Sequence, residues 1–80
     1  MADVWFTDSF GRTVAHAVLR PEELRRINLR PGDRVSTECV DLSHVARELY
    51  LGARHEDVAR ISYFLQLARA HPRLEVDGGV

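Results

Sequence analysis

The chain contains no lysine, one cysteine, one tryptophan, three prolines and no long apolar run. Each shortage excludes something. With Cys39 alone, no disulfide can form within these 80 residues, and neither a staple framework nor a cysteine zinc cage is available. No stretch approaches the roughly 18 consecutive apolar residues of a membrane span. The formal net charge of −1 gives no summed positive field for non-specific nucleic-acid binding. All eleven basic side chains are arginine, which resembles the codon bias of a high-GC bacterium or its phage. The opening Met1-Ala2-Asp3-Val4-Trp5 places an acid where a signal peptide carries positive charge, and no apolar h-region follows, so a cytoplasmic protein is expected.

Eighty residues make one domain, which hides only about 60% of the surface its unfolded chain exposes. Oligomerisation is a natural supplement at this size, and a deep catalytic cleft is not expected. Val4–Thr7 and Thr13–Leu19 are rich in β-branched and aromatic residues and flank the turn chemistry of Asp8-Ser9-Phe10-Gly11, which predicts a hairpin. Pro21 suits the first position of a two-turn helix through Ile27, and Asn28 suits a left-handed cap. Arg30-Pro31-Gly32-Asp33 has Pro and Gly where a type II turn needs them. Arg34–Val40 then reads as a third strand with Val35, Thr37 and Cys39 on one face, and a cysteine in mid-strand reads as a small buried residue.

Asp41 is a credible N-cap for a helix to about Leu51, with Leu42, Val45, Ala46, Leu49 and Tyr50 inward and Gly52 as its left-handed stop. A second long helix runs from about Glu56 to Ala70, ended by His71-Pro72. The order ββαβαα gives an α+β domain over residues 1–73: a small antiparallel sheet, the hairpin plus a third strand, covered by two C-terminal helices and one short helix. The tail 74–80 is expected as an edge strand or a disordered end.

The candidate chemistry is thin. Cys39 and His44 lack a recognisable nucleophile elbow or oxyanion loop, so no catalytic residue is assigned. His16, His44, His55 and His71 show neither His-x₃-His nor HExxH spacing, so no metal site is assigned, and no glycine-rich loop implies a cofactor or a small-molecule substrate. The acidic pairs Glu22-Glu23 and Glu56-Asp57 fall in first helical turns, where carboxylates stabilise orphan amides.

The strongest signal is in the last helix. At 100° per residue, Val58, Ile61, Phe64, Leu65 and Ala68 share one face, while Ala59, Tyr63, Leu67 and Ala70 line another. One stripe covers the domain's core. The second calls for a partner, either another copy of the chain or a different protein, so Ala59, Tyr63, Leu67 and Ala70 form the expected interface, with Trp5 and Phe10 as further aromatic candidates. The leading expectation is a small non-enzymatic binding or regulatory module. The alternative is a dimeric DNA-binding regulator or antitoxin. Residues 12–34 hold six arginines against three acids, and Arg20, Arg25, Arg26 and Arg30 could reach phosphates if they share one surface.

Two resemblances accompany that alternative. Pro21-Glu22-Glu23-Leu24-Arg25-Arg26-Ile27-Asn28-Leu29-Arg30-Pro31-Gly32-Asp33-Arg34-Val35 resembles the central segment of the AbrB/MazE swapped-hairpin family, in which a short helix leads through a Leu-x-Pro-Gly-Asp turn into a strand. That resemblance implies a dimeric DNA-binding regulator or antitoxin, although the helix-to-turn spacing is one residue shorter here. Arg34 to Ala70, strand then helix then helix, resembles a ribbon-helix-helix repressor, which implies strands paired between two chains in a major groove and interlocked helices.

Overall fold

Asp8 sets the first turn, because its carboxylate accepts the N–H groups of Phe10 at 2.9 Å and Arg12 at 3.0 Å. The chain on either side folds back as the expected hairpin, β1 (Ala2–Thr7) antiparallel to β2 (Thr13–Leu19), with an irregularity in register between Phe6 and Thr7. The computed structural model describes residues 1–79. Val80, the last residue of the expected tail, lies outside them.

Pro21 opens the short helix α1 (Pro21–Arg26), and Asn28 follows it in the left-handed conformation at φ 59°. The Arg30–Asp33 turn closes with the Arg30 N–H donating to the Asp33 carboxylate at 2.8 Å, and Gly32 supplies the φ of 89° that a side chain would resist. Strand β3 (Arg34–Ser36) is shorter than expected. A 3-10 turn at Thr37–Cys39 replaces its second half, since Thr37 donates its amide to Pro72 O at 2.9 Å and its hydroxyl to His71 O at 2.6 Å. Cys39 is consequently exposed, not a buried strand residue.

Helix α2 (Leu42–Tyr50) begins at Asp41, whose carboxylate accepts the His44 N–H at 3.2 Å, and stops before Gly52 at φ 80°. Val45 and Leu49 are its buried residues, while Tyr50 turns outward, where its hydroxyl meets Ser62 Oγ at 2.7 Å. A 3-10 turn at His55–Asp57 leads into α3 (Val58–Ala70), and His71-Pro72 ends it. The segment Arg73–Val76 then forms β4.

The sheet order is β2-β1-β4-β3, antiparallel throughout. The C-terminal strand therefore lies inside the sheet between β1 and β3, not at its edge, and the domain extends through Val76. Its alternation Leu74/Val76 inward and Arg73/Glu75 outward matches that of Val4/Phe6 against Trp5/Thr7 on β1. Inward residues from the strands meet Leu24, Val45, Leu49, Ile61, Phe64, Leu65 and Ala68 in one core. All three helices lie on that side, giving two layers and leaving the other sheet face bare.

Candidate binding surfaces

Arg60 on α3 joins four parts of the chain. Its guanidinium makes a bidentate pair with Glu23 of α1, Nη1 to Oε1 at 2.7 Å and Nη2 to Oε2 at 3.0 Å, and reaches Asp57 Oδ1 at 2.9 Å. It also donates to the carbonyl of Val18 on β2 at 3.2 Å. Arg20 completes the cluster, with Nη2 3.1 Å from Asp57 Oδ1 and its backbone N–H on Glu23 Oε1 at 2.7 Å. Every buried side-chain polar atom among the described residues has a partner.

The electrostatics follow from those contacts. Burial alone would raise the pKa of Glu23, but the Arg60 hydrogen bonds and the Arg20 N–H outweigh it and hold the carboxyl below its ordinary value. The Arg60 bond, offset in part by burial and assisted by Arg20, lowers Asp57 from 3.8 to about 2. The acidic pairs thus do more than face helix dipoles. Glu23 and Asp57 also accept the backbone N–H groups three residues earlier, at Arg20 and Arg54, the reciprocal half of a capping box. The Asp57/Arg60 spacing was visible in sequence; the partnership with Glu23, 37 residues away, was not.

Helix α3 divides the expected interface stripe. Leu67 is only 7% exposed and belongs to the core, which corrects its place in that stripe. Ala59, Tyr63 and Ala70 are exposed, with Tyr63 at 48%. The expected core face is corrected at its first residue, since Val58 at the start of the helix is 43% exposed. What remains outward is a low ridge of alanines with one protruding tyrosine.

The bare face of the sheet is the second surface. Trp5 stands at its centre, 36% exposed, with the His16 ring tilted against it at a centroid distance of 4.4 Å. His16 Nε2 lies 2.7 Å from Asp3 Oδ1, and across the sheet Arg34 Nε lies 3.1 Å from Glu75 Oε1. An open groove of about 730 Å³ runs between the hairpin turn and β3, lined by Thr7, Ser9, Thr13, Ser36, Arg73 and Glu75 among others. Phe10, at 81% exposure, caps the hairpin tip with Arg12 over its ring. Acids and bases alternate across this face, so it carries no single sign of charge.

The arginines of residues 20–30 do not form one free surface. Arg20 is committed to Asp57, and Arg26 donates to Leu51 O at 3.3 Å. Among the described residues, Arg25 and Arg30 have no ion-pair partner within 4.0 Å, and both are exposed. The ribbon-helix-helix likeness is corrected by topology: β3 has three residues and pairs with β4 of its own chain. No group of three His, Cys, Asp or Glu side chains among the described residues is placed to hold a metal ion, and no helix there is long and apolar enough to cross a membrane. Comparison of the chain with protein-family models, curated proteins and solved structures finds no match.

Proposed function

We propose that this chain is a small non-enzymatic intracellular binding or regulatory module that acts through protein contacts of α3, either with a second copy or with a different protein. The observation that carries the reading is Tyr63: a large aromatic ring, 48% exposed, in the middle of a helix whose outward positions around it are the small or polar residues Ala59, Ser62, Gln66 and Ala70. Aromatic rings that protrude from flat, low ground are the side chains that dominate interface energetics when a partner closes over them. Arg60, beside the ridge, is already compensated by Glu23 and Asp57, so a partner need not neutralise it.

The test is photocrosslinking in the native host. A photoreactive phenylalanine analogue at position 63 is expected to give a covalent adduct with protein, whereas the same analogue at Arg47 on the exposed side of α2 is expected to give none. Equal, background labelling at both positions would end this reading.

A further inference from the structure

We propose that two copies of the chain join along the outer edge of β2, in antiparallel pairing about a two-fold axis near His16, which brings their α3 helices side by side. This rests on the reading of α3 as a contact surface and names its occupant as a second copy.

The backbone of β2 fixes which groups are available. Asp3 O accepts the Asp77 N–H at 2.9 Å on the side away from β2, so the pair Asp3↔Val18 exchanges no ladder bonds. Val18 O accordingly points off the outer edge, where Arg60 takes it at 3.2 Å. By the alternation of antiparallel ladders, His16, opposite Trp5, also directs its N–H and C=O outward. Among the described residues nothing bonds to them. The free N–H and C=O of His16 on the outer edge of β2, between Val18 with its carbonyl on Arg60 and the irregularity at Val14, are a template for pairing. A two-fold axis that sets His16 opposite its own symmetry mate lets each copy donate one N–H and accept one there. The flanking pair sets Val18 opposite Val14 of the other copy, where Arg60 already holds Val18 O, so the reciprocal His16 bonds are the ones the free groups supply. The imidazole does not obstruct this, since it is turned along the sheet face toward Asp3 and Trp5.

The helix geometry is compatible with the same axis. Helix α3 packs over β2, and Phe64 also reaches Phe6 of β1 at 5.8 Å between ring centroids, which sets the helix above the β1/β2 gap. With strands about 4.8 Å apart, two such helices related across the paired edges stand about 9.6 Å apart, within the usual 8–10 Å of packed helices. Tyr63 follows Arg60 on the side of α3 that faces away from Ser62 and α2, and hence toward the axis. A contact strip as long as the 13-residue helix, about 20 Å, and as deep as both layers buries on the order of 1,000 Å² in total, the lower bound for a specific interface.

The closing experiment compares solution mass for the wild type, His16→Pro and His16→Ala by light scattering. The wild type is expected at twice the chain mass of 9.1 kDa. His16→Pro removes the outward N–H together with the imidazole and is expected at the single-chain mass, while His16→Ala removes the imidazole alone, keeps that N–H and is expected to remain paired. A wild type at the single-chain mass, or equal masses for the proline and alanine variants, overturns the pairing. Should His16→Pro fail to fold, amide exchange of the wild type decides: His16 N–H is as protected as Ala17 N–H if the edges pair, and exchanges rapidly if they do not. A single-chain mass together with a Tyr63 adduct to some other protein overturns the pairing while leaving the binding-module reading intact.

Discussion

Arg60 is the residue on which the most separate pieces of chain depend. Its side chain is 16% exposed and that of Glu23 is 5% exposed, so Arg60→Leu leaves a carboxylate stranded beneath α1 with its backbone partner at Arg20 alone. Removing one member of such a pair costs about 2–3 kcal/mol, below the range for a fully enclosed pair because this cluster borders solvent. In a chain of this size that lowers Tm by on the order of 10–20 °C, measurable by calorimetry. The pH dependence has a definite sign. Asp57 titrates near 2 in the folded chain against 3.8 ordinarily, and Glu23 is also lowered, so the unfolded chain binds more protons in acid and stability is lost as pH falls from about 4 toward 2. Arg60→Leu is expected to flatten that part of a Tm-versus-pH curve; an unchanged slope would place the acid sensitivity elsewhere, for example at Asp8, whose carboxylate is lowered first by the Arg12 N–H.

At the scale of elements, α3 shows how far a periodic pattern can be trusted. The stripe Ala59, Tyr63, Leu67, Ala70 spans a wide arc, and a helix seated beside an edge strand buries one flank of that arc while exposing the rest. Leu67→Glu is therefore expected to unfold the domain, because it drives a charge into the core, whereas Tyr63→Glu is expected to shift the unfolding free energy of the isolated chain by less than about 1 kcal/mol. Urea midpoints under dilute conditions separate the two. The same contrast explains what was legible in the sequence. Asp41 with His44, Asn28, Gly32 and Gly52 act through bonds and torsions within a few residues, and the structure places them as caps and turns where the local pattern puts them. Leu74-Glu75-Val76 is too short to declare its own position, which is decided by pairing with β1 and β3, each at least 37 residues away in sequence. β3 likewise ends where Thr37 finds His71 O, a partner 34 residues distant. Local chemistry was readable, and long-range pairing was not.

At the scale of the molecule, one sheet and one helical layer give a body of 35 × 28 × 19 Å, thin enough that a single core must be shared by both layers. Such a core supplies modest stability, and the outer edge of β2 is the place where a second copy would extend both layers at once without disturbing either. If it does, unfolding and dissociation are linked, and stability depends on protein concentration. Each tenfold increase in concentration then contributes about 1.4 kcal/mol to a pair of chains. Spread over the unfolding entropy of about 160 residues, this raises Tm by about 4 °C. The paired state is what makes this dependence appear, so His16→Pro, which removes one outward donor from the edge, is expected to flatten it while His16→Ala preserves it. Differential scanning calorimetry over two decades of concentration reads this directly: a wild-type Tm that does not move with concentration would mean that the β2 edge and the Tyr63 ridge are left uncovered in the folded state.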